Sequence, residues 1–249
     1  MKAFGDVKHI AYAGIDALIL YFDGATLDEA NHACIRWLAA IENGNKQFPS
    51  QWSWLVECVP SYDSLLIVFN YELIDSHGVY KALKGLQIES VHLSLDKGAQ
   101  ATIANEGSSD TKLIPVWYGA PNASDLSVVS KQTGLSIDDI IEQHTSVIYR
   151  VYAVGFAPGF AYMGEIPTKL QCPRLGTPRK RVPKGAVAIA DRQTAVYPSE
   201  SPGGWNLLGL TPLDMVTHDV HGSTSRLTSG DKVRFVAISE EEFKAYNEG

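Results

Sequence analysis

GFAPGFAYMGEIPTKLQCPRLGTPRKRVPKGAVAIADRQTAVYPSESPGGWNLLGLT, residues 155–211, is the stretch that decides the fold. Eight of the chain's 12 prolines fall between Pro158 and Pro212, around short apolar runs at 187–190 and 195–197. Proline at that density excludes long helices and interior ladder positions, so the spacing predicts strands and loops of barrel type. Upstream, a strand is expected over 113–118. Ser124 and the Ser136–Asp139 stretch each open a short helix, the second ending near His144, and a strand follows at 147–154. Downstream, strands are expected over 210–216 and 232–238, with a turn at Ser229-Gly230-Asp231.

Further from this stretch the texture changes. Residues 17–22 (ALILYF) form a continuous apolar run ended by Asp23-Gly24, the pattern of a buried strand. Thr26 and Glu29 stand in capping-box positions, and Leu27, Ala30, Cys34, Trp37, Leu38 and Ile41 then recur at helical steps, up to about Asn43-Gly44. Strands at 52–59 and 65–69, joined by a turn at 60–63, precede a helix over 73–86 weakened by Gly78 and a strand over 88–95. The order β-α-β-β-α-β, with an extra leading strand at 7–12, predicts a ferredoxin-like α+β unit. Residues 96–111 are polar, small and rich in Gly and Ser. They are assigned to a linker between a 1–95 domain and a 112–249 barrel domain.

Composition narrows the function classes. With 45% apolar and 20% charged residues over 249 positions, the chain has the make-up of a folded globular protein. A net charge of −7 has the wrong sign for coating nucleic acid or an anionic membrane. The three cysteines, Cys34, Cys58 and Cys172, are odd in number and far apart, which points to a reducing cytosolic compartment rather than a disulfide framework. Neither a secretory signal nor a membrane span is expected. No P-loop, GxGxxG or GxSxG motif occurs, and the pair His218 and His221 has no third ligand at metal spacing, so no metal site is predicted.

The chemistry-bearing segment is again 155–211. Between Lys169 and Arg192 stand seven Lys/Arg and one acid, Asp191, a basic enclave in an acidic chain. Such an enclave suits a small anion, a phosphate or carboxylate. Arg174 and Arg179 each follow a proline, which stiffens the backbone beneath them. Gly155 and Gly159 stand in front of the enclave and Gly203-Gly204 behind it, with Phe156, Phe160, Tyr162, Tyr197 and Trp205 interleaved. Pro158, Gln193 and Pro202 complete the candidate anion-binding set. Pro/Gly density by itself describes only a loop-rich barrel rim. It is the coincidence of stiffened arginines, glycine loops and aromatics that suggests a site. Arg174 and Arg179 are expected to face one concavity walled by Tyr197 and Trp205. The Gly203-Gly204 backbone is expected to take positive φ or to approach a ligand or partner, with Trp205 anchoring it. His144 is either a dipole partner in a last helical turn or a proton-transfer group.

The run GFAPGFAYMG, then PR-x₃-PR-x₂-VP-x-G-x-V-x-I-A, YP-x₃-PGGW and GLTP, closely resembles the family of B-type 5-oxoprolinase subunits. That family also includes proteins called allophanate hydrolase subunit 1 and the sporulation-kinase inhibitor of bacilli. The likeness extends through VPSYDSLLI (59–67), IPVWYG (114–119), SDL, TGLS, H-x₄-Y-x-VY (144–152) and GDKVRF (230–235), which is most of the chain. Leu210 stands where the family commonly has arginine, and Met163 and Glu165 where it often has Leu and Gly. The resemblance implies a ferredoxin-like domain followed by a cyclophilin-like β-barrel. It implies work with two partners, a paralogous C-type barrel protein and an A-type protein of the same enzyme, opening 5-oxo-L-proline to glutamate with ATP and Mg²⁺. In that reaction Arg174, Arg179 and Lys184 fit the cation role, Gly203-Gly204 the N–H role and His144 proton transfer. Two other readings stay open: a regulator docking on a sensor histidine kinase, and half of a biotin-dependent carboxyltransferase of urea or allophanate degradation.

Overall fold

The computed structural model describes residues 2–86, 111–219 and 222–248. The chain divides into two compact units, 1–108 and 109–249, in a mixed α/β architecture with few helices. The strand expected over 88–95 and the linker expected over 96–111, except its last residue, lie outside the described residues.

In the first unit β1 (Val7–Tyr12) and β2 (Ala17–Phe22) lead to α1 (Leu27–Gln47), β3 (Leu55–Ser61), β4 (Ser64–Phe69) and α2 (Ser76–Lys84). The strands form one antiparallel sheet in the order β1-β2-β4-β3. Leu18, Leu20 and Phe22 of β2 and Leu65, Ile67 and Phe69 of β4 alternate onto the face that packs with Cys34, Trp37 and Ile41 of α1. Each such side chain contributes about 1.5–3 kcal/mol when buried, so packing outweighs propensity in holding α1. Thr26 caps the helix by accepting from Glu29 N, and Glu29 reaches back to Ala25 N at 2.7 Å.

The second unit runs β5 (Lys112–Tyr118), α3 (Leu126–Thr133), α4 (Ile137–Thr145), β6 (Tyr149–Val154) and β7 (Ala161–Gly164), then a 3₁₀ turn (Thr168–Leu170). It continues with β8 (Arg179–Val182), β9 (Ala186–Ala190), β10 (Gln193–Val196), β11 (Ser201–Gly203) and β12 (Asn206–Leu210). After these come β13 (Val216–Asp219), β14 (Gly222–Ser225), β15 (Lys232–Ala237) and α5 (Glu240–Glu248). Seven strands close a barrel in the order β10-β7-β6-β15-β5-β12-β9; β11 pairs with β8 and β13 with β14 as separate ribbons. Among the described residues, only the β15–β5 pairing within the barrel is parallel.

Two alternations build this barrel. In β9, Val187 and Ile189 join one core cluster with Val151, Leu208 and Phe235, whereas Ala186, Ala188 and Ala190 join another with Phe160, Tyr197 and Trp205. The strand is therefore covered on both faces, and small alanines on one face make room for large rings. The expected strand over 210–216 is corrected: β12 ends at Leu210 and β13 begins at Val216. Pro212 lacks the N–H a continuous ladder needs. Helix α5 is an addition to the expected elements, although Ser239 and Glu242 form a reciprocal capping box at its start.

Candidate functional site

The aromatic cluster of the second unit opens into a cavity of about 230 Å³. Its wall comes from three places. The β6–β7 loop and β7 supply Phe156, Phe160 and Tyr162; the stretch before β8 supplies Arg174 and Pro178. The end of β10, β11 and the β11–β12 connection supply Tyr197, Pro202, Gly203, Gly204 and Trp205. Register explains the convergence: Gly203 of β11 lies opposite Arg179 of β8, and Leu175 N donates to Gly204 O at 2.7 Å. Phe160 is the hub, 4.8 Å from Tyr162, 5.3 Å from Tyr197 and 5.9 Å from Trp205, mostly edge-on. Phe156 reaches the rim from a backbone φ of 70°, with its ring in edge contact with Phe160. Tyr162 and Pro178 stand outside the predicted site residues; Tyr162 carries a signal in the sequence, because it belongs to the same aromatic set.

The basic enclave is largely neutralised within the chain. Arg181 makes two bonds to Glu200 at 2.9 and 2.8 Å, Lys184 meets Asp214 at 2.6 Å, and Arg192 pairs with Glu165. Arg179 pairs with Asp125 and donates to Trp205 O at 3.4 Å. Of these acids only Glu165 lies close to the 169–192 window and none lies inside it, which is why counting charge there overstates the local field. Arg174 is different. Its guanidinium lies 5.6 Å from the Trp205 ring centroid, and its Nε is 3.5 Å from Asp191 Oδ2. It is the arginine of the cavity wall.

Several predicted residues stand elsewhere. Arg179 shares Trp205 with Arg174 but is not part of the wall. Its partner Asp125 is buried, and the second carboxylate oxygen accepts from Leu207 N at 2.7 Å. That carboxylate is taken up by these contacts, so it makes no side-chain cap on α3. Lys184 lies in the β8–β9 turn and Gln193 opens β10 opposite Gly164 and Ala190; neither lines the cavity. Pro158 is exposed, and Gly159 takes φ 80° where a Cβ would sit 2.4 Å from Val216 Cγ2. Neither Gly203 nor Gly204 has positive φ, the first of the two alternatives expected for them, and both line the cavity. A Cβ at Gly203 would lie 2.2 Å from Tyr197 Oη, so the close approach is to the chain's own phenol. Trp205 is buried against the barrel, as expected. Burial raises the Tyr197 phenol, opposed by a backbone hydrogen bond with Trp205 and by Arg174 and Arg179.

His144 does not line the cavity. It is fully buried at the end of α4, stacked on Phe235 at 4.4 Å. Its Nδ1 is 2.6 Å from Tyr118 Oη and its Nε2 2.8 Å from Thr194 Oγ1. Thr194 donates to Ala188 O, so its hydroxyl accepts from Nε2–H, and Nδ1 accepts from Tyr118. Burial lowers the imidazole to about 3, which keeps it neutral. The arrangement pins α4 to the barrel. Of the two roles weighed for His144, proton transfer calls for access to the cavity, which His144 does not line. His218 bonds Ser223 Oγ at 2.8 Å, and His221 lies outside the described residues.

Comparison with known proteins places the chain in a family. Residues 8–224 match the family described as carboxyltransferase domain, subdomain C and D. The B-type 5-oxoprolinase subunit from Bacillus subtilis (strain 168) is 36% identical over 244 residues, covering 96% of each chain. Its counterpart from Escherichia coli O157:H7 is 38% identical over 180 residues, 68% of this chain and 82% of that one. The crystal structure of TTHA0988 superposes with a TM-score of 0.71 at 33% identity, over 90% of this chain but 40% of that protein. The chain belongs to the family of B-type 5-oxoprolinase subunits. Among the described residues no helix is long and apolar enough to cross a membrane.

Proposed function

We propose that this chain is the B-type member of an ATP-dependent 5-oxoprolinase, and that its cavity holds the substrate acid for ring opening completed with the A-type and C-type partners. In this reading the first unit is a ferredoxin-like domain over 1–95, joined through 96–111 to a cyclophilin-like barrel over 112–249. A lactam carbonyl is a poor electrophile. Transfer of the ATP γ-phosphoryl group to its oxygen makes that oxygen a leaving group. Water then adds to the carbon, and the C–N bond breaks with the protonated amine as leaving group, giving an acyl phosphate of glutamate. A second water displaces phosphate from that acyl carbon, so the products are glutamate, ADP and phosphate. ATP with Mg²⁺ is a co-substrate of the assembled complex.

One observation carries the reading: an arginine laid on a buried tryptophan, within an aromatic cavity of about 230 Å³. That volume lies below the roughly 300–1,000 Å³ of sites for drug-sized ligands, so it suits a small ring acid and not a nucleotide. The aromatic wall receives the ring, and Arg174 meets the carboxylate in a charge-assisted contact worth about 1.5–3 kcal/mol. The experiment is reconstitution: ATP turnover dependent on 5-oxo-L-proline, with the chain alone and with both partners. The reading expects turnover only from the mixture. Robust turnover by the single chain, or none in any combination, would contradict it.

A further inference from the structure

Arg174 and Asp191 are each more than half exposed, so their ion pair contributes little to stability. Their geometry nevertheless has a direction. A guanidinium offers a carboxylate two edges, the end formed by Nη1 and Nη2 and the side formed by Nε and one Nη. Asp191 stands on the Nε side at 3.5 Å, and the guanidinium carbon lies over the Trp205 ring, 5.6 Å from its centroid. Asp191 is itself fixed, with φ 53° in the two-residue β9–β10 turn, and its N–H donates to Cys172 O at 2.7 Å. That bond ties the turn to the backbone two residues before Arg174. Asp tolerates the left-handed region better than most residues, but such a conformation persists only where its surroundings impose it.

We propose that Asp191 is a positioning residue: by engaging Arg174 at Nε, it leaves the Nη1–Nη2 end to receive the substrate carboxylate. The inference rests on the reading that the cavity holds the acid. The two contacts together aim the guanidinium, Trp205 holding it over the indole ring and Asp191 drawing its Nε side away from the cavity acid. The site therefore favours a planar carboxylate meeting the arginine end-on, with the ring of the acid against the aromatic wall.

The test measures the KM for 5-oxo-L-proline, and kcat, in the complex reconstituted with the A-type and C-type partners. Asp191→Gly removes the carboxylate in a residue at ease with φ 53°, and Asp191→Asn keeps an acceptor oxygen for Nε. The proposal expects Asp191→Gly to raise KM about three- to tenfold with kcat within about twofold. Asp191→Asn should stay within about twofold of the parent. In an Arg174→Ala background, Asp191→Gly should add nothing further. A KM unchanged or lowered by Asp191→Gly, while Arg174→Ala raises it, overturns the positioning role alone. A full Asp191→Gly effect that persists without Arg174 also overturns it. An unchanged KM in Arg174→Ala removes the acid from this cavity, and the reading beneath the proposal falls with it.

Discussion

Arg179 and Arg174 follow proline in the same local pattern, yet the fold gives them opposite tasks. The Arg179 partner Asp125 has a side chain only 9% exposed, so removing the cation leaves a buried carboxylate with its charge uncompensated. Arg179→Ala should destabilise the chain by about 2–4 kcal/mol, read as a loss in the urea-unfolding midpoint. An unfolding curve like the parent's would return Arg179 to the role of a free ligand cation. The paired glycines separate in the same way. Gly203→Ala drives a Cβ into the Tyr197 phenol and should cost about 1–3 kcal/mol, whereas at Gly204 the nearest atom to a Cβ is 3.6 Å away. Thermal melting should therefore show a drop of several degrees for Gly203→Ala and almost none for Gly204→Ala. Equal shifts would contradict the steric account. At this scale the right residue types are legible in the sequence. Which of two Pro-Arg pairs meets an acid 54 positions away is not, nor is a glycine that answers to a tyrosine across the ribbon.

Element boundaries show what local signals carry. The Thr26 cap marks the start of α1, but the helix runs past Gly44 to Gln47. A Cβ at Gly44 would lie 3.0 Å from the Trp52 indole, so that glycine makes room for a tryptophan rather than ending the helix. Trp52 and Trp54, expected in a strand, instead pack 5.1 Å apart before β3 begins. Pro60 lies within β3, which among the described residues is an edge of its sheet, the place where a strand tolerates proline. α2 spans Ser76–Lys84 rather than 73–86, since Asp75 caps it by accepting from Gly78 N at 2.7 Å. The role of α4 depends on His144. Its folded pKa near 3 lies below the ordinary 6.5, so between those values the unfolded chain takes a proton that the folded chain refuses. Stability from this group is fully present above about pH 6.5 and falls with pH by up to roughly 1.4 kcal/mol per unit until about pH 3. Urea unfolding at about pH 7, 6, 5 and 4 should show one proton's extra slope in the parent relative to His144→Gln. Identical slopes would mean that the imidazole titrates freely in the folded chain.

At the scale of the whole molecule, the proline-dense half does predict a strand-and-loop barrel. The closing order β10-β7-β6-β15-β5-β12-β9 is not legible, because it depends on pairings between segments far apart in the chain. The cavity is legible in composition and not in membership. The aromatic residues and Arg174 converge there, while His144, Lys184 and Gln193 serve other parts of the unit. What remains is an aromatic cavity on the barrel with an aimed arginine, in a family whose members are named as parts of a larger enzyme. On the function proposed above, the chain holds the acid and needs partners to open it. A crystal structure of the reconstituted complex with 5-oxo-L-proline would decide the matter most directly. The expected result is the carboxylate within hydrogen-bond distance of the Arg174 terminal nitrogens and the lactam ring against Trp205 and Phe160. Substrate density at another site, with this cavity lacking it, would contradict the proposed role of the cavity.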